Sequence, residues 1–226
     1  MFGFGKNSSS STAPEATVAP AASVNDLGIA HGRISLEKRQ VISLTKTPKI
    51  TVTISWPDKT DYDVYALVQY QDGHVETVAQ FGTKDNHRYT AVTTDGAVKH
   101  LGDVKRGGGA GKKGLADEII EITLNPNIVR IVPVAYSAQS NGTGSFKKYK
   151  VGMSIDNGAG DIVEIDARDA SSNDKVYSCV PGVITNGDTV RIEKLEQYSA
   201  PASERRPSID RNGTVLMDAG ATNLYK

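Results

Sequence analysis

The chain has 226 residues, with 26 basic and 26 acidic side chains and a single cysteine. A formal charge of zero removes any whole-chain electrostatic argument for nucleic acid or an anionic membrane as partner. One cysteine excludes an intrachain disulfide and a thiolate metal cluster. The first 23 residues lack the apolar run of a signal peptide, and no stretch approaches the ~20 apolar residues of a membrane span. We therefore expect a cytoplasmic protein or a component of a particle assembled in the cytoplasm, such as a virion.

Composition divides the chain into three parts. Residues 1–32 are rich in Ser, Ala, Pro and Thr, a composition that buries too little apolar area to offset the entropy of ordering. We interpret them as a flexible, low-complexity N-terminal arm. Residues 33–195 form the predicted domain, and residues 196–226 form a C-terminal arm in which the strand pattern is lost. We expect both arms to be dispensable for folding and to serve in assembly.

Strand-type patterning fills the predicted domain. In the segment 49–56, Ile50, Val52, Ile54 and Trp56 alternate with polar residues, which is the pattern of a strand with one buried face. The next run places four apolar residues on a shared face: Val64, Ala66, Val68 and Tyr70.

Two runs, 119–124 and 128–136, are almost continuously apolar, and we predict that they are central strands buried on both faces. No segment from 33 to 195 keeps helical periodicity for three turns. The pattern predicts an all-β fold of about ten to twelve short strands, either a sandwich or a barrel.

Few residues in the sequence suggest a metal-binding or catalytic role. Asp61 and Asp63 are two apart after a predicted strand, so both carboxylates can approach one hard cation; the alternative is a solvated turn. The four histidines occur in no metal-binding or catalytic spacing. We expect His100 to be an exposed residue at a strand end. No nucleophile elbow occurs, so the sequence predicts a protein that is not an enzyme.

The loop 104–116 is rich in glycine and carries four basic residues. It differs from a phosphate-binding P-loop because Arg106 stands where the first glycine is needed and Lys113, rather than Ser or Thr, follows Lys112. No helix pattern follows to hold a phosphate. We interpret the segment as a surface loop, or as one ordered by an acidic neighbouring protein, and expect no nucleotide partner.

The order of several short motifs resembles the tellurium-resistance TerD family. The matching segments are Val41-Ile42-Ser43-Leu44-Thr45-Lys46, Thr53-Ile54-Ser55-Trp56, Asp61-Tyr62-Asp63-Val64-Tyr65-Ala66, Gly102-Asp103-Val104, Ala116-Asp117-Glu118-Ile119-Ile120-Glu121-Ile122-Thr123-Leu124 and Ile128-Val129-Arg130-Ile131-Val132-Pro133-Val134. The resemblance covers roughly residues 40–195. It implies a two-sheet β-sandwich, calcium binding by acidic loops, and a non-enzymatic role in tellurite resistance and stress response.

The same resemblance implies a set of five metal ligands: Asp61, Asp63, Asp103, Asp117 and Glu118. The family's acidic loop is here longer and basic, with Lys112 and Lys113 where carboxylates are expected. We therefore predict a weakened Ca²⁺ site, because neighbouring lysines repel a divalent cation. The terminal arms suggest homo-oligomers or a larger assembly. The alternative function is a structural subunit of a phage capsid or tail built on a TerD-like sandwich.

The failed P-loop match generates a first prediction. We expect equilibrium dialysis with labelled ATP or GTP and magnesium to show no saturable binding below about 100 μM. The Lys112→Ala variant should behave in the same way as the unmodified chain. Saturable binding that this variant loses would contradict the interpretation of the loop.

Overall fold

The computed structural model describes the backbone of residues 23–24 and residues 28–80, 90–104, 114–137, 145–167, 170 and 172–222. Most of the predicted N-terminal arm, 1–22 and 25–27, and the centre of the basic loop, 105–113, lie outside the described residues. Within the described ranges the chain forms sixteen strands: β1 Ser23–Val24, β2 Ala30–His31, β3 Arg33–Ser35, β4 Val41–Leu44, β5 Lys49–Pro57, β6 Asp63–Tyr70, β7 Val75–Ala79, β8 Val98–His100, β9 Leu115–Thr123, β10 Ile128–Tyr136, β11 Gly152–Asp156, β12 Ile162–Asp166, β13 Ser178–Asn186, β14 Val190–Tyr198, β15 Ser208–Ile209 and β16 Val215–Leu216.

Twelve of these strands form two six-stranded sheets, which confirms the prediction of an all-β sandwich. Sheet I has the order β4-β14-β13-β10-β6-β7, and sheet II has the order β3-β12-β11-β5-β9-β8. Neighbouring strands are antiparallel except β12 and β3, which are parallel. The four remaining strands pair as β1 with β2 and β15 with β16.

The main core lies between the two sheets. The alternation predicted for β5 is confirmed, since Ile50, Val52, Ile54 and Trp56 are all buried in this core. The indole of Trp56 packs edge-on against the ring of Tyr62, which also contacts the rings of Phe146 and Tyr149. Burying large aromatic rings closes the inter-sheet space at this end of the sandwich.

A second hydrophobic cluster covers the outer face of sheet I. It contains Tyr65 and Leu67 of β6 and Val132, Val134 and Tyr136 of β10. Val215 of β16 is buried among them, and Ile209 and Met217 pack against the cluster. The C-terminal segment therefore contributes to a core, which disagrees with the expectation that residues 196–226 are dispensable for folding. Strand β14 also extends three residues past the predicted boundary at 195, to Tyr198.

The β15–β16 hairpin is fixed to sheet I by polar contacts. The Gln69 side-chain amide donates a 2.9 Å hydrogen bond to the Asp210 carbonyl in the hairpin turn. Gly213 in the same turn has a φ of +81°, and a Cβ there would lie 1.2 Å from Nη1 of Arg130. Only glycine fits both the backbone conformation and the space beside the guanidinium group.

Burial differs between the two predicted central strands. Strand β10 is buried on both faces from Ile131 to Tyr136, as predicted, because the C-terminal segment covers sheet I. The corresponding prediction for β9 was wrong. Its burial alternates along the strand, since β9 lies next to the edge strand of sheet II, whose outer face is partly exposed.

Neighbouring residues of β16 allow a direct test of the C-terminal segment. We expect Val215→Asp to lower the free energy of unfolding by about 2–4 kcal/mol, because it places a charge in an apolar cluster. The matched control is Leu216→Asp, since Leu216 is 42% exposed and Val215 only 7%. Denaturant titration of both variants measures the difference. Equal stability of the two variants would show that the segment does not contribute to the folded core.

Candidate functional site

The candidate site is centred on a buried glutamate in sheet II. Along β9 the inward-facing residues are Ala116, Glu118, Ile120 and Ile122, all of which are buried. Strand alternation therefore directs the Glu118 side chain into the core and its neighbour Asp117 to the outer face. Glu118 is 2% exposed, and a carboxylate at this depth is tolerated only where it is hydrogen-bonded or paired.

Three donors satisfy the Glu118 carboxylate. Oε2 accepts a 2.8 Å hydrogen bond from the backbone N–H of Val64, which belongs to the opposite sheet. Oε1 accepts a 3.0 Å bond from the backbone N–H of Val104, in the segment that follows β8. Nε2 of His100 lies 3.2 Å from Oε2. One side chain thus connects sheet II with sheet I and with the 102–104 segment.

The orientation of His100 is set by its second nitrogen. Nδ1 accepts a 3.1 Å hydrogen bond from the backbone N–H of Gly102, so in the neutral ring Nε2 carries the proton and donates it to Glu118. The prediction that His100 is exposed was wrong, because its residue exposure is 5%. Its register partner in β9 is the inward-facing Ile120, and that pairing directs the imidazole into the core.

Two further carboxylates lie beside Glu118. Single carboxylate oxygens of Asp63, Asp103 and Glu118 lie within 4.8 Å of one another. Asp63 and Glu118 are buried, and Asp103 is half-buried. Two oxygens bound to one Ca²⁺ ion are separated by at most about twice the 2.3–2.6 Å metal–oxygen distance. The spacing therefore fits a shared cation, which would also offset the mutual repulsion of the three charges.

The structure brings together three of the five predicted ligands and places two elsewhere. Asp117 lies on the outer face of sheet II, where it lines a groove with Thr53 and Ser55 of β5. Asp61 precedes β6 and is half-buried, but it is not part of the three-carboxylate cluster. The cluster supports binding of a metal ion and does not identify the ion.

Sequence reasoning missed the groups that hold the cluster in place. They are the ring of His100 and the backbone N–H groups of Val64 and Val104. The proximity of His100 to Asp103 in the sequence was the only signal. Backbone donors carry no sequence signal, because every residue except proline has one.

The chemistry of the site is limited by burial. The side chains of His100 and Glu118 are each 1% exposed, so a substrate cannot contact this pair from solvent. The arrangement can hold a small cation or act as a hydrogen-bonded connection between elements. Within the described part of the chain, no helix has the length and hydropathy needed to cross a membrane.

Comparison with protein-family models and with curated protein sequences finds no match to this chain.

The role of Glu118 as a connection can be measured. We expect Glu118→Ala to lower the free energy of unfolding by about 2–5 kcal/mol, because the buried N–H of Val64 loses its acceptor at about 1–3 kcal/mol and the part-buried N–H of Val104 loses its acceptor at a smaller cost. Asp117→Ala is the matched control on the outer face, and its expected cost is below about 1 kcal/mol. If both variants unfold at the same temperature as the unmodified chain, the Glu118 hydrogen bonds contribute nothing to the stability of the fold.

Proposed function

We propose that the chain is a non-enzymatic binding or scaffold domain of the TerD type with a weak Ca²⁺ site at Asp63, Asp103 and Glu118. The observation that carries the proposal is the convergence of these three carboxylates within 4.8 Å. Their elements, β6, the segment after β8, and β9, are the ones in which the TerD-like acidic motifs occur. A role in tellurite resistance or stress response follows from that resemblance.

Ligand chemistry favours calcium over a transition metal. All three candidate ligands are carboxylate oxygens, which suit hard cations such as Ca²⁺ and Mg²⁺. His100 is the nearest nitrogen ligand, and both of its ring nitrogens already contact protein groups. Calcium tolerates irregular coordination better than magnesium, which requires near-octahedral geometry.

Weak affinity follows from the small number of anionic ligands. Calcium takes six to eight oxygens, and the cluster supplies three side chains. Both oxygens of Glu118 already accept hydrogen bonds, so this carboxylate is not fully available to an ion. The basic residues of the loop between Asp103 and Asp117 further oppose a divalent cation. A dissociation constant near 1 mM is a reasonable order of magnitude for such a site.

The alternative proposal, a structural subunit of a virion, has less support from the fold. Val215 of the C-terminal arm is buried against the chain's own sheet I, so this part of the arm is not available to cover a neighbouring subunit. The outer face of sheet I is therefore occupied within one chain. Molecular mass in solution separates the two proposals, because a virion subunit forms large assemblies and the binding domain does not.

Thermal unfolding tests the cation site. A ligand present at its dissociation constant stabilises the folded state by about 0.4 kcal/mol, so about 1 mM Ca²⁺ should raise the melting temperature by roughly 1–2 °C. Asp103→Asn should abolish this rise, because it removes the half-buried ligand. Asp117→Asn is the control and should retain it. A rise that persists in Asp103→Asn, or the absence of any rise at about 10 mM Ca²⁺, would refute the site.

A further inference from the structure

A separate groove opens at the opposite end of β6 from the acidic cluster. Its cavity volume is about 680 Å³, which lies within the usual range for small-molecule sites. It is formed where β6 turns into β7, beside the segment preceding β8 and the β9–β10 turn. Its walls include Tyr70, Asp72, His74, Glu76, Asp95 and Asn127.

The centre of the groove is a flat ring held in a fixed orientation. The imidazole of His74 stacks on the phenol of Tyr70, with ring centroids 4.3 Å apart and an interplanar angle of 5°. Tyr70 is buried, whereas the His74 side chain is 49% exposed. One face of the imidazole is covered by Tyr70, so the opposite face is presented to the groove. His74 thus offers a flat ring face in a fixed orientation.

Two carboxylates fix the ring in its plane. Nδ1 of His74 lies 2.5 Å from Oδ1 of Asp72, and Nε2 lies 3.5 Å from Oε1 of Glu76. Nδ1 therefore donates its hydrogen to Asp72, and Glu76 adds a longer contact at Nε2. The hydrogen bond to Asp72 raises the pKa of His74. The backbone and ring hydrogen bonds from His74 lower the pKa of Asp72.

The remaining wall is formed by the carboxylate of Asp95, whose negative charge is stabilised by hydrogen bonds from the protein. Oδ1 of Asp95 accepts hydrogen bonds from the hydroxyls of Tyr70 and Thr93 and from the N–H of Ala97, and Oδ2 accepts one from Asn125. Burial alone would raise the pKa of Asp95, but these donors hold it below its usual value. Burial raises the pKa of Tyr70 to about 12, so its hydroxyl remains a donor at neutral pH.

Charge compensation indicates what kind of ligand suits the groove. The single positive charge that His74 can carry is outnumbered by the carboxylates of Asp72, Glu76 and Asp95, so the groove presents mainly hydrogen-bond acceptors. An anionic ligand would approach three carboxylates. A neutral ligand with hydroxyl groups avoids this repulsion and can donate hydrogen bonds to the carboxylates. Asp72, whose side chain is 71% exposed, can accept hydroxyl hydrogens, and the Asn127 amide supplies both a donor and acceptors.

We propose that this groove binds a carbohydrate, with a sugar ring lying on the exposed face of His74 and its hydroxyl groups bonded to Asp72 and Asn127. A flat ring face beside carboxylate acceptors matches the two surfaces of a pyranose, one of C–H groups and one rim of hydroxyls. The site is independent of the proposed cation cluster.

Saturation-transfer NMR on the full chain tests the proposal. The probes are glucose, galactose, mannose, N-acetylglucosamine, cellobiose, maltose, lactose and chitobiose, each at about 10 mM for affinities in the millimolar range. We expect transfer to at least one sugar and a loss of affinity of about tenfold in His74→Ala, which removes the ring. His74→Phe retains a flat ring and should recover part of the binding. Val75→Thr, at the exposed first residue of β7 beside His74, should bind as the unmodified chain does.

Three outcomes would overturn the proposal. The first is the absence of transfer to every sugar in the panel. The second is transfer that His74→Ala leaves unchanged while its thermal melt shows a folded protein. The third is saturable binding of spermidine at this groove in place of sugars, which would show that the carboxylates, rather than the ring, determine the ligand.

Discussion

The hydrogen-bonded carboxylate of Glu118 is the constraint on which the geometry around the acidic cluster depends. A charged group in the inter-sheet core costs several kcal/mol unless donors surround it. Its donors come from β6 of the other sheet, from β8 and from the segment after β8. Satisfying one carboxylate therefore fixes the relative positions of three elements, and it brings Asp63 and Asp103 to the same place.

Among the residues that the structure describes, a second covering layer lies on sheet I and not on sheet II. The C-terminal segment buries the outer face of β6 and β10, so these strands are apolar on both faces. The outer face of sheet II carries hydroxyl and charged residues, among them Thr51, Thr53 and Ser154. One sandwich thus contains both strand types, continuously apolar strands and alternating strands. The difference arises because the C-terminal segment covers the outer face of sheet I.

The sequence predicted the properties that depend on neighbouring residues in the chain, and it failed for those that depend on which strands lie side by side. The alternation in β5 predicted its buried face, because side-chain direction in a strand is a local property. The burial of β9 and His100 was predicted wrongly, because it depends on which strands lie beside them. The resemblance to TerD suggested Asp63, Asp103 and Glu118 but could not separate Glu118 from Asp117. That separation requires the strand register, which pairs Glu118 with the buried Ile54.

Strand β6 relates the two candidate sites to each other. Asp63 begins the strand at the acidic cluster and Tyr70 ends it at the groove, about 23 Å away at the usual rise per residue. The strand is buried along its whole length and is hydrogen-bonded to β10 on one side and to β7 on the other. Packing on both faces and pairing on both edges hold the strand in one conformation. The strand therefore fixes the distance between the acidic cluster at one end and the groove at the other, so each set of polar residues is held by the same packed element.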